Sequence, residues 1–391
     1  MEELYTKHGS VIVYAKTLES EALSLIYEMA NSPLGENAHL RIMPDAHAGA
    51  GCVIGTTMKI TDKVCPNLVG VDIGCGVSLY KTDLDFKSIL PELDKAIRDF
   101  VPSGKSIHPT QQEQPVDLTE LRCWEKISPN VQERAKRSLG TLGGGNHFLE
   151  AYEDGYIAVH TGSRNIGLAV ATHYQNLAVS HIRQKNMDMR NRILETIPPE
   201  KRQEWLKSQK IAVSDELCYL EGAEMDNYIH DIAILQNFAK HNRATILSRI
   251  CKVLRARHAV RVVDSVHNYI DVDNRILRKG AISAQEGEIL VIPMNMRDGL
   301  LVCRGKGNSE WNNSAHNGAG RLYSRSKAKA VFSVEEYERQ MEGIYSSCIN
   351  QSTLDEAPFV YKAMDEIVDA IHPTVEIEDR LIPIFNFKAS E

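Results

Sequence analysis

Apolar residues come in short runs over the first 85 positions. "SVIVYA", "CVIGTTMKI" and "GVSLYK" are each bounded by glycine, proline or polar residues. That pattern predicts strands. "ELDKAIRDFV" (92–101) reads as a short helix, and the polar, proline-containing 102–118 as a connection. A strand resumes in "YIAVHTGSR" (156–164), followed by a helix over 167–186. The charged stretch 187–212, with "IPPEKRQEWLKS", is expected to form a surface helical hairpin or lobe. The plainest helical signal lies at 225–256. There Tyr228, Ile232, Leu235, Ala239, Ile246, Ile250 and Val253 recur at three- and four-residue steps. They form one apolar stripe. Asn242 interrupts the stripe and needs a hydrogen-bond partner if buried. Strands return in "AVRVVDSV", "GEILVIPM" and "GLLVCR". Helices are expected at 333–344 and 362–371, and a last strand in "LIPIFNF". Strands and helices do not alternate regularly. The expected class is therefore α+β, mainly antiparallel sheets with surrounding helices, rather than a doubly wound fold. Chemistry-bearing motifs are spread along the whole chain, which predicts one integrated catalytic domain over 1–391.

Composition narrows the function classes. A net charge of −7 gives no global basic field for nucleic acid, so RNA binding would need a local patch. The N-terminus lacks a secretory pattern, and no run reaches the roughly 18 apolar residues of a membrane span. A cytoplasmic protein with no membrane partner is expected. The eight cysteines stand singly, without a CxxC pair, as in reduced proteins.

Several glycine-punctuated turns carry polar residues. "VGVDIGCGV" places Asp72 and Cys75 three apart. A carboxylate and a thiolate there suit a transition metal; a capping Asp beside a buried Cys is the structural alternative. "GTLGGGNHFLE" presents Asn146 and His147 after three glycines that permit close backbone approach, though a flexible polar loop has the same look. "VHTGSRNIG" ends a strand at His160 and leads through Ser163 and Arg164 into a helix. Such a helix start suits an anion, or simple capping by Ser163 or Asn165. "SVHNYID" adds His267 and Asn268, and "PDAHAGAGCVIG" adds Asp45 and His47. Together, one Asp, one Cys and three His could hold two metals about 3.5–4 Å apart with the sulfur bridging, a spacing that serves phosphoryl transfer. "SAHNGAGR" (314–321) ends the series: a small-residue turn whose amides and Arg321 can close on a phosphate.

In order along the chain, "PDAHAGAGCVIG", "VGVDIGCG", "GTLGGGNHFLE", "HTGSRNIG", "VHNYID", "KGN…W" and "GAGR…SR" closely resemble the RtcB-type RNA ligases, from about residue 44 to the C-terminus. The resemblance implies an RtcB-like fold and GTP- and manganese-dependent joining of RNA ends. In that reaction a 2′,3′-cyclic phosphate is opened to a 3′-phosphate, an active-site histidine carries GMP, and a 5′-hydroxyl attacks the activated end. Splitting a hard transfer through a covalent intermediate makes physical sense. Carried over motif by motif, Asp72, Cys75 and His147 resemble one manganese set, and Cys75, His160 and His267 the other. Asn146, Phe148, Glu150, Asn268, Gly318, Ala319, Gly320, Arg321, Tyr361 and Lys388 would bind the nucleotide, with Phe148, Glu150, Tyr361 and Lys388 at the guanine. Asp45, His47, Ser163 and Arg164, together with Asn146, would meet phosphates. A monomer is expected, and an activating protein partner is compatible with the pattern.

The chain departs from the family at one place. The family's nucleophilic histidine directly precedes Gly-Ala-Gly-Arg; here Asn317 stands there, and His316 comes one residue earlier. An amide nitrogen is not basic, so retained guanylylation requires His316 as the GMP acceptor. The alternatives are a metal-dependent cyclic phosphodiesterase or phosphatase, and an impaired homologue that binds RNA ends or GTP.

Overall fold

The computed structural model describes residues 1–208 and 213–389. Its centre is a five-stranded antiparallel sheet in the order Ala259–Val266, Gly76–Thr82, Tyr156–Thr161, Phe148–Tyr152, Pro383–Lys388. Residues on both faces of the four strands from Gly76–Thr82 to Pro383–Lys388 are mostly buried, whereas the edge strand Ala259–Val266 is largely exposed. Register matters for function: Gly76 pairs with both Val266 and Thr161, and His160 pairs with Val77 and Phe148. Cys75 and His267, each one residue beyond a paired strand end, therefore meet at one edge of the sheet. The His267 amide donates to the Cys75 carbonyl at 2.9 Å.

A six-stranded sheet lies alongside, in the order Glu2–Thr6, Gly9–Val13, Arg41–His47, Ile54–Lys59, Ile276–Lys279, Asn268–Asp271. Gly9–Val13 with Arg41–His47 is the one parallel pair among the described strands. A three-stranded sheet (Ile289–Pro293, Leu300–Gly305, Val375–Leu381) and a short pair (Ala281–Ser283 with Ser314–His316) close the far side of the pocket. The mixed, mainly antiparallel architecture is α+β.

Two 33-residue helices, Arg164–Thr196 and Gly222–Leu254, back the sheets. Tyr228, Ile232, Leu235, Ala239, Ile246 and Ile250 of the second are completely buried, whereas Val253 at the frayed end of the stripe is 37% exposed. The helix expected at 167–186 begins earlier and runs on to Thr196; after Ile197–Pro198 a second helix covers Pro199–Ser208. The end of the expected lobe, 209–212, lies outside the described residues. Helix Ser20–Asn31 and strand Val375–Leu381 had no prediction. The former buries Ala22, Ile26, Met29 and Ala30 at helical spacing inside a segment whose short apolar runs read as strands. No described helix is long and apolar enough to cross a membrane.

Candidate metal centre and phosphate pocket

Four segments deliver five ligand-type side chains to one point. Gly74, at φ +71°, lets the chain turn hard against the helix Gly222–Leu254; a Cβ there would lie 2.9 Å from the Gln236 Cα. The turn brings Cys75 to the sheet edge. Cys75 Sγ is 3.4 Å from His147 Nε2 and 3.3 Å from His160 Nε2. His160 Nε2 is 3.4 Å from His267 Nε2, and His147 Nε2 is 2.8 Å from Asp72 Oδ2. Cys75, His147, His160 and His267 are buried.

The hydrogen bonds set the tautomers. His147 Nδ1 lies 2.8 Å from the Leu142 carbonyl, and His160 Nδ1 lies 3.0 Å from that of Asn146. Carbonyls only accept, so Nδ1 of each ring carries a proton and Nε2 is the atom turned to the centre. Burial holds His160 well below its ordinary value and His267 at about 4, so both rings are neutral. Burial by itself raises the Asp72 carboxyl, but His147, Cys75 and Arg164 outweigh it and bring it to about 2. Burial, reinforced by Asp72, pushes the Cys75 thiol up. A bound cation reverses that preference and ligates thiolate. One sulfur, three imidazoles and one carboxylate form a donor set that suits first-row transition metals, and Cys75, His147 and His160 group as a possible ion site.

The centre opens into a cavity of about 310 Å³, within the range of small-ligand sites. His160 and His267 form its floor. Asp45, His47, Asn146, Phe148, Glu150 and Asn268 line it, as do the turn Asn317–Arg321, Tyr361 and Lys388. Asp72, Cys75 and His147 sit behind the floor. Arg164 lies beyond them, donating to Thr141 Oγ1 and the Gly104 carbonyl. Ser163 starts the helix Arg164–Thr196 without a side-chain cap bond; its Oγ is buried and without a partner among the described residues. Neither Ser163 nor Arg164 is in the cavity wall.

His316 and Asn317 part company. Strand geometry sends neighbouring side chains to opposite faces. Asn317 enters the wall and, with its amide nitrogen turned inward, donates to Asp45 Oδ2 at 3.2 Å and the Gly280 carbonyl at 2.9 Å. His316, paired with Ala281 at the end of Ser314–His316, is 1% exposed and stays out of the wall. Burial and then the nearby Lys362 lower it to about 3, and its Nε2 has no partner among the described residues. The ring is in the neutral form a nucleophile needs, yet it does not line the cavity.

Residues that sequence reasoning missed organise the other end. Glu356, 2% exposed, accepts from Lys388 Nζ (2.7 Å), Tyr361 OH (2.7 Å) and Arg321 Nη1 (3.0 Å). Lys388 also lies over the Phe148 ring, 5.5 Å from its centroid. Arg321 further donates to the Asp355 and Tyr323 carbonyls, so protein groups hold its guanidinium in a fixed plane. Glu150 accepts from Tyr152 OH and Asn386 Nδ2, both at 2.6 Å, and burial raises its carboxyl to about 7. No local signal in "LDEAPFVY" marks Glu356, because its partners come from distant segments.

A sulfur–imidazole–carboxylate cluster beneath a glycine turn and an arginine is the kind of donor set that a metal-dependent, phosphate-handling site needs. Comparison with known proteins makes the class specific. The family model described as tRNA-splicing ligase RtcB matches residues 26–123 and 117–389. The RNA-splicing ligase RtcB of Escherichia coli strain K12 is 32% identical over 419 aligned positions, covering 96% of each chain. The tRNA-splicing ligase RtcB of Aeropyrum pernix is 28% identical, covering 85% of this chain and 83% of its own. RNA-splicing ligase RtcB2 of E. coli strain ATCC 25922 is 27% identical, covering 90% and 88%. The chain belongs to the RtcB family.

Proposed function

We propose that this chain is a GTP- and manganese-dependent RNA ligase, one catalytic unit that acts as a cytoplasmic monomer. It joins 2′,3′-cyclic-phosphate or 3′-phosphate ends to 5′-hydroxyl ends, with His316 carrying GMP between steps. The observation that supports this reading best is the convergence of Asp72, Cys75, His147, His160 and His267 under the cavity closed by Gly318–Arg321. Two manganese ions held by those five side chains would supply charge neutralisation for phosphate oxygens and orient in-line attack. The chain's own groups do the rest. Asn146 and the backbone of the turn Gly318–Arg321 offer donors to phosphates, and Asp45 and His47 face the same space. Phe148, Glu150, Tyr361 and Lys388 shape a pocket for the base, Phe148 by stacking and Glu150 by hydrogen bonding. For His316 to act, the backbone around 316–317 must turn its imidazole inward, since attack needs about 3–3.5 Å and alignment; Gly318 and Gly320 follow that pivot.

One observation favours a second reading. Asn317, not His316, faces the cavity. A protein held in that arrangement keeps metal-dependent opening of cyclic phosphate ends, or binding of RNA ends, without nucleotidyl transfer. Intact-mass measurement after incubation with GTP and manganese separates the two. A GMP-sized increase, lost in His316→Ala, supports the ligase. No increase together with opening of cyclic phosphate ends supports the second reading.

A further inference from the structure

Two adjacent side chains on the helix Gly222–Leu254, Asn242 and Arg243, lie on the far side of the metal centre from the cavity. Both are completely buried. Arg243 Nη1 donates to the Gly74 and Thr161 carbonyls, each at 2.9 Å. Its Nε and Nη2 hold both oxygens of Asp264 at 2.8 and 3.0 Å, and Nε also reaches Ser78 Oγ at 2.9 Å. Asn242 Oδ1 accepts from the Gly140 and Thr141 amides at 2.7 and 3.1 Å. Its Nδ2 donates to the Thr141 and Gly162 carbonyls at 3.0 and 3.2 Å.

Each anchored segment leads to a ligand. Gly74 precedes Cys75. Thr161 and Gly162 follow His160. Asp264 lies in the strand Ala259–Val266, three residues before His267. Thr141 precedes Leu142, whose carbonyl fixes the His147 ring. The sheet also joins these segments, through Phe148 paired with His160, and Thr161 Oγ1 donates to the Leu142 carbonyl at 2.6 Å; Asn242 and Arg243 tie the four together from behind.

The geometry points to Asn242 and Arg243 as positioning residues for the metal centre: one turn of one helix fixes the mutual spacing of the segments that carry Cys75, His147, His160 and His267. A purely structural role is the competing account. Stability alone does not call for a buried arginine–carboxylate pair, since apolar packing serves as well. Convergence on four ligand segments is what a positioning role requires. Partners that orient ligands typically change metal affinity by about 10–100-fold when removed.

The inference rests on the metal reading above, so the test monitors the metal site without turnover. Cobalt(II) is titrated into metal-free full-length protein, following the thiolate-to-cobalt charge-transfer absorption well below the melting temperature. The variants are Arg243→Lys, Asn242→Ser and, as control, Asp231→Asn. Asp231 is fully buried on the same helix, twelve residues and so roughly 18 Å away. It accepts from the Arg122 and Cys123 amides and Tyr174 OH. The expected result is cobalt affinity reduced about tenfold or more, with a shifted band, in folded Arg243→Lys and Asn242→Ser. Asp231→Asn should melt earlier but titrate like wild type. Wild-type titration by both site variants would overturn the inference, and so would equal loss in the control. A wild-type protein with no thiolate–cobalt band would instead remove the metal reading itself.

Discussion

Replacing Glu356 by glutamine changes one buried charge and almost no volume. Burial alone would raise this carboxyl; Lys388, Arg325 and Arg321 overcome it and hold it at about 2, against 4.5 unperturbed. That difference corresponds to about 3 kcal/mol of stability at neutral pH. The sign follows from the depression: the contribution is complete above pH 4.5 and is lost as pH falls through 2. The two arginines keep other acceptors, since Arg325 bonds Asp355 at 2.9 Å and Arg321 the Asp355 carbonyl at 2.5 Å. Lys388, 6% exposed, is left with the Phe148 ring 5.5 Å away. The loss should therefore fall on the nucleotide end of the cavity. Urea unfolding of wild type and Glu356→Gln at low ionic strength should differ by about 3 kcal/mol at pH 7 and by about 1 kcal/mol at pH 3. Other carboxylates titrate equally in both proteins and cancel in the difference. A difference that stays constant between pH 7 and pH 3 would refute the electrostatic account.

Two further outcomes follow from the cavity wall. Burial raises Asp45 to about 7, so its contribution is most favourable below its ordinary value of 3.8 and is lost as pH rises through 7. Metal-free wild type should lose melting temperature relative to Asp45→Asn between pH 5 and 8 (about the span that brackets that value); parallel curves would contradict this. Gly143 sits at φ +87°, and a Cβ there would lie 1.8 Å from Arg164 Nη1. Gly143→Ala should displace Arg164 and cost about 2 kcal/mol or more, read as a lowered melting temperature; an unchanged one would show that the loop yields freely.

The legible parts of this molecule are those where one segment carries the whole signal. The stripe from Tyr228 to Ile250 forms a buried helix because its period needs no knowledge of partners. Asn242 was visible as an interruption that needs partners, but not what it would bond, since Gly140, Thr141 and Gly162 are some 80–100 residues away. Cys75 and the three histidines each read equally well as ordinary turn or core residues; their order along the chain, not any one motif, set them apart. Strand alternation decides the His316–Asn317 question, yet which of the two faces inward depends on pairing with Ala281–Ser283. Glu356 was illegible for the same reason as Arg243. An acidic residue in a short loop is normally solvated, and only the arrival of Arg321, Arg325 and Lys388 makes its burial favourable.

The most direct test of the proposed two-cation centre is the manganese content of the purified protein after dialysis, by elemental analysis, in wild type and Cys75→Ala. Two equivalents in wild type and close to none in the variant is the predicted result, because one sulfur within 3.4 Å of two imidazole nitrogens would serve both proposed ions. A Cys75→Ala protein that retains the wild-type content would contradict it.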